Sequence, residues 1–233
     1  MRAALVAAAL AAAAACTHPE PAPLTGRAPD APPPSVAWRG HDLAITGLPA
    51  IAGDGSSIVI AQRASDGGRG NPNLTLVEKD RGDRVVHRLE VITATEVDEL
   101  PAAAIARRFD AAAAWLDERH AAGHLVAMPP LELHPGSDEA PPTATGPGAV
   151  LRWVPSALEL VLGPALRVLR STPPSWLVAD RPMCPDCSEV CHNDAFLGGG
   201  YLDRDRLAAL VVVSYRGTDT CWEPGSEAHV IAW

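Results

Sequence analysis

The sequence predicts an α+β domain: mainly antiparallel β-sheet, in meanders and hairpins, with one long α-helix. Three observations carry that expectation. Short runs rich in Val, Ile and Leu recur along the chain, with turn dipeptides such as Asp54-Gly55 and Gly163-Pro164 between them. One stretch, at about 100–122, switches to helical spacing of its apolar residues. The chain has 233 residues, 47% of them hydrophobic, enough to bury a real core. Its formal net charge of −9 lacks the basic footprint of a nucleic-acid binder. One lysine, Lys79, stands against eighteen arginines, and with 23 prolines and long alanine runs this reads as the codon bias of a GC-rich genome.

The first fifteen residues predict a signal peptide. Arg2 supplies a positive start, and Ala3 to Ala15 is an apolar run of thirteen residues. As a helix it spans about 20 Å, short of the roughly 30 Å core of a bilayer. The segment Ala13-Ala14-Ala15-Cys16 resembles the lipobox of bacterial lipoproteins, with alanine at Ala13 where that family usually has leucine. The resemblance implies that Cys16 is lipidated and that the protein is exported and held to a membrane by its acyl chains. Thr17, in place of an aspartate after the cysteine, implies the outer membrane. The same small residues also fit ordinary signal cleavage and plain secretion. Residues 16–35 follow as a tether: Thr17 to Ser35 holds seven prolines and few large apolar side chains, which favours extended polyproline II over a packed core.

The folded domain is expected over 36–233. Ser57–Gln62, Leu74–Glu78 and Arg84–Thr95 read as strands of a meander, with Asp80-Arg81-Gly82-Asp83 as a turn. The Arg-Gly-Asp tripeptide in that turn reads as chance. Thr95 to Asp98 resembles a capping box, and Ile105, Phe109, Ala112 and Leu116 fall on one helical face, so a helix is expected from about Leu100 to Ala122. Gly123 reads as its stop, with His120 and His124 in capping roles at its negative end. His134 to Gly148 reads as a long loop joining two halves. Strands are expected at Val150–Val154, Leu158–Leu162, Leu166–Arg170, Trp176–Ala179, Ala209–Tyr215 and Ala228–Trp233. The hairpins at 58–78 and 210–233 both span a loop of about eleven residues opening on Arg, an echo that a duplicated unit or chance would produce. The first hairpin, from Asp54-Gly55 to about Leu89, resembles a blade fragment of TolB-type propeller repeats. The helix that follows breaks the series a propeller needs, so the resemblance implies the hairpin alone.

The densest chemistry is Cys184-Pro-Asp-Cys187-Ser-Glu-Val-Cys191-His192, with Cys221 further on. In an exported protein these four late cysteines are expected as two structural disulfides, in any of three connectivities. A zinc or copper site using Cys184, Cys187, Cys191, His192 and Cys221 is the alternative, although the paired CxxC knuckles are absent. Cys184-Pro-Asp-Cys187 resembles the CPxC of glutaredoxin-like sites but stands late in the chain, and Cys187 to His192 departs from the CxxCH of haem attachment.

The remaining candidates read as structural. Glu132 and His134 suit a solvated edge, Asp203 and Asp205 a solvated turn, and most of the six tryptophans a core role, with Trp222 beside Cys221 the exception. There is no G-x-S-x-G elbow, P-loop or GxGxxG. The expected function is therefore a cell-envelope lipoprotein acting as a non-catalytic binding or structural module. No cofactor and no nucleic-acid partner are expected, the membrane is reached through the lipid anchor, and the sequence names no protein or small-ligand partner. A thiol- or metal-handling periplasmic protein is the alternative.

Overall fold

Antiparallel pairing governs every sheet of the computed structural model, which describes residues 32–40, 42–63, 72–136, 141–154, 157–164, 166–171, 178–182, 190–216 and 226–233. A hairpin opens it, β1 (Ser35–Arg39) with β2 (Asp42–Thr46). The first large sheet joins β3 (Ala50–Ile51), β4 (Ser57–Gln62), β5 (Leu74–Asp80), β6 (Val85–Ile92) and β7 (Val126–Ala127) in the order β6-β5-β4-β3-β7. Between β6 and β7 lie α1 (Ala94–Glu99) and α2 (Ala102–Gly123). A meander sheet follows: β8 (Glu132–His134), β9 (Thr143–Gly146), β10 (Ala149–Val154), β11 (Ala157–Leu162) and β12 (Leu166–Ser171). The last sheet is β13 (Val178–Pro182), β14 (Val190–Asp203), β15 (Ala208–Arg216) and β16 (Ser226–Ala232), paired in chain order.

Strand periodicity sets the layering. In β4, Val59 faces α2, whereas Ile58 and Ile60 face the last sheet. The helix answers with the predicted face: Ile105, Phe109, Ala112 and Leu116 are its buried residues. Val36, Trp38, Leu43 and Ile45 of the opening hairpin join that core, with Trp38 and Phe109 rings 5.6 Å apart. In β15, Ala208 and Leu210 meet Ile58 and Ile60, while Ala209, Val211, Val213 and Tyr215 meet Leu151, Leu158 and Leu160 of the meander sheet. The last sheet is thus buried on both faces, which explains the uninterrupted apolar run of β15. The two echoing hairpins, β4–β5 and β15–β16, meet through this shared core.

Several expected boundaries move. The capping box belongs to Thr93 and Glu96, two residues before the expected pair, and starts the separate helix α1. Pro101 forces Leu100 into extended backbone and divides α1 from α2. At the other end the helix runs through Gly123, and His124 takes the left-handed conformation (φ 49°) with its N–H donated to His120 O. The stretch read as a joint contains β9, and the expected strand at Trp176–Ala179 is β13 at Val178–Pro182.

The largest correction is β14. The expected strands leave 180–208 without one, yet Val190–Asp203 is one strand of 14 residues. Its register slips between Leu197 and Gly199, a bulge at Gly198. A Cβ at Gly198 would lie 2.0 Å from Ser214 Oγ, and one at Gly200 would lie 2.9 Å from Leu151 Cδ2. The glycine triplet therefore admits neighbours that a side chain would exclude. Opposite it, Leu131 N–H donates to Gly200 O (2.8 Å) and Leu202 N–H to Pro129 O (3.0 Å), joining the meander sheet to the last sheet at one corner. Among the described residues no helix is long and apolar enough to cross a membrane.

Candidate functional site

The turn between β5 and β6 builds a densely connected polar cluster among the described residues. Asp80 Oδ1 accepts from the N–H groups of Gly82 (2.8 Å) and Arg84 (3.0 Å). This tight Asx-type turn puts Asp83 in the left-handed region (φ 65°), which aspartate tolerates better than most residues. Asp83 is thereby aimed at β16. Its Oδ1 accepts from Lys79 Nζ (2.9 Å) and Val230 N–H (2.8 Å), and its Oδ2 lies 2.8 Å from His229 Nδ1. An ionised carboxylate only accepts, so His229 Nδ1 is the donor in that contact. Lys79 also donates to Ala228 O at 2.6 Å.

Lys79 and His229 are among the few buried polar residues, 7% and 5% exposed. Their burial follows from the position of β16, the edge strand of the last sheet. An edge strand carries outward N–H and C=O groups that need partners. Here Val230 N–H finds Asp83 and Ala228 O finds Lys79. Burial by itself raises the pKa of Asp83, but the hydrogen bonds from His229, Val230 and Lys79, with the lysine charge, outweigh it and hold the carboxyl below its ordinary value.

Arg81, from the same turn, spreads over backbone carbonyls of three other segments. It donates to Arg206 O (2.9 Å), Gly55 O (3.3 Å), Leu207 O (3.3 Å) and Trp233 O (3.4 Å). Arg206 in turn donates to Gly53 O and to Asp203. Asp203, expected on a solvated turn, is instead 7% exposed and accepts from Arg206 N–H and its guanidinium, both at 2.8 Å. The Arg-Gly-Asp tripeptide therefore joins the first sheet to the last through both of its charged residues.

Beside this clasp the two sheets part and leave a groove of about 330 Å³. Thr75, Val77 and Lys79 of β5 form one wall with Val85 and Arg88 of β6; Ser226 and Glu227 of β16 form another, and Gln62, Arg63 and Asn73 close the end. The alternation of β5 explains this lining: Leu74 and Leu76 turn to α2, and the odd-numbered residues turn the other way. Asp83 offsets the charge of Lys79, so the groove presents Arg63 and Arg88 against Glu227.

A second polar group fastens α2 to the first sheet. Glu78 accepts from Ser57 Oγ (2.9 Å) and pairs with Arg119 (3.1 Å), whose guanidinium sits 5.2 Å above the Trp115 ring. His87 stacks on the same Trp115, the two ring centroids 5.1 Å apart. His120 and His124 meet edge to face at 6.5 Å. Glu132 and His134 lie exposed on β8, as expected of an edge, with His134 Nε2 at 2.8 Å from Thr145 Oγ1.

Cys16, Cys184, Cys187 and Cys221 lie outside the described residues, as does Trp222. Cys191 and His192 are consecutive residues of β14, opposite Arg181 and Asp180 of β13, and their side chains are likewise outside the description. Among the described residues no group of three or more His, Cys, Asp and Glu is placed to hold a metal. Sequence reasoning missed Lys79, Asp83 and His229. The available signals were a lone lysine in an arginine-rich chain and a histidine inside the apolar run Ala228–Trp233. Compared with protein-family models, with curated proteins and with solved structures, the chain finds no match, so its own residues carry the functional reading.

Proposed function

We propose that this chain is a cell-envelope lipoprotein, anchored to the outer membrane through Cys16, whose folded part is a non-catalytic α+β binding or structural module. The observation that carries this reading is the order of its first 35 residues: a short apolar run of small residues, a cysteine where that run ends, and a proline-rich tether. The fold supports it through the use it makes of buried charge. Lys79, Asp83 and Arg81 hold backbone groups of neighbouring segments, His229 holds the Asp83 carboxylate, and the groove beside them is open for binding. Metabolic labelling with palmitate tests the anchor: label is expected on the wild-type protein and none on Cys16→Ser. Equal labelling of the two would refute lipidation at that residue.

In this reading Cys184, Cys187, Cys191 and Cys221 form two disulfides, as export favours. The close grouping of Cys184, Cys187, Cys191 and His192 in nine residues is the observation that favours the second reading, a thiol- or metal-handling protein. A thiol count on the unreduced protein, paired with metal analysis, separates them. No free thiol and no metal is expected; free thiols with stoichiometric zinc or copper would establish the second reading.

A further inference from the structure

We propose that the groove between β5–β6 and the edge of β16 binds a small ligand carrying an oxyanion, a carboxylate or a phosphate. The inference deepens the binding-module reading and rests on it, but not on the lipid anchor.

The chain as a whole is acidic, with a net charge of −9. Its 330 Å³ groove is nevertheless lined by Arg63, Lys79 and Arg88 and by a single carboxylate, Glu227. That volume suits a small molecule. Lys79 is committed to Asp83 and Ala228 O, which fixes one wall of the groove and leaves recognition to the two arginines. Both are exposed at its rim, so their guanidinium forks are accessible from solvent. Such forks match the paired oxygens of carboxylates and phosphates. Thr75 adds a neutral polar group, and Val77 and Val85 give the β5–β6 wall an apolar strip, the mixture that orients a small polar ligand. Glu227 faces the same space and opposes a second negative charge, which favours a ligand with one anionic group.

The test is calorimetric titration of the whole protein with inorganic phosphate and with acetate, supported by amide shifts in NMR spectra. Saturable binding of either probe is expected, with shifts confined to residues 62–63, 73–79, 85–88 and 226–227; the probe that binds more tightly identifies the source of the oxyanion. Arg88→Gln and Arg63→Gln are substitutions at exposed side chains and leave the core intact. Each is expected to weaken binding by about tenfold, the loss of one charge-assisted contact. Glu227→Gln is expected to tighten it several-fold. Binding should also weaken as salt is raised. Absence of saturable binding by both probes overturns the proposal, as does binding that survives the double replacement of Arg63 and Arg88. If palmitate labelling persists while both probes fail, the ligand class falls and the lipoprotein reading stands.

Discussion

Replacing Asp83 by alanine removes the common acceptor of three donors: Lys79 Nζ, Val230 N–H and His229 Nδ1. Lys79 would remain buried against Ala228 O without its counter-charge, and Val230 N–H at the β16 edge would lose its acceptor. Breaking a buried pair by deleting one member typically costs about 3–5 kcal/mol, because the survivor is left without its counter-charge. The Asp83 side chain is 18% exposed, so water can reach part of the vacated space and the lower end applies, about 3 kcal/mol. Asparagine keeps one acceptor oxygen and loses the charge; its cost should be about 1.5–2 kcal/mol. Equilibrium urea unfolding measures both, and a constant slope would show that the unfolded state is unchanged. A cycle with Lys79→Met adds a second check, since the double variant should cost less than the sum of the singles. The pH dependence has a defined sign. The folded-state pKa of Asp83 lies below its ordinary value of 3.8, so its contribution is present above pH 3.8 and is lost as pH falls through the folded value. Asp83→Asn should flatten the stability profile in that acidic window. A cost for Asp83→Ala under about 1 kcal/mol, or strict additivity with Lys79→Met, would refute the clasp.

Three further outcomes are expected. Gly198→Ala should destabilise by about 1–3 kcal/mol in denaturant unfolding, and Ser214→Gly should restore part of that loss because Ser214 occupies the space the new Cβ needs. Arg81→Ala should cost about 1–2 kcal/mol, since one of its four carbonyl contacts is at 2.9 Å and the rest are longer; Arg81→Lys should rescue little, as one ammonium cannot reach the same spread of acceptors. Burial, helped by the charge of Glu227, pushes the Tyr215 phenol up to about 12. It therefore stabilises the fold fully below pH 10 and progressively less as pH rises toward 12, and ultraviolet titration should show a late tyrosinate step that Tyr215→Phe removes.

The helix was legible because its evidence is local. Ile105, Phe109, Ala112 and Leu116 repeat at helical spacing whatever lies opposite, and they are its buried face. The capping box was misassigned because two such boxes two residues apart look alike in sequence, and it starts α1, which Pro101 separates from the long helix. β14 was unreadable for the opposite reason. Its glycines carry no side-chain periodicity, and what makes them strand residues is the approach of Ser214 and Leu151 from other strands. β3 and β7, two residues each, exist only because they pair with one another and with β4.

The clasp and groove show the same division. The apolar alternation of the strands, the helical face and the turn chemistry of Asp80 to Asp83 can be read from the chain alone. Those features rest on interactions within a few residues of each other. That Lys79 meets Ala228, and Asp83 meets His229 and Val230, appears first in the folded chain, because nearly 150 residues separate the two sides of each contact. A lone lysine and an aspartate in a turn carry no sign of their partner until the sheet face of β5 and the edge of β16 are brought together by the burial of Ile58, Ile60, Leu210 and Val230.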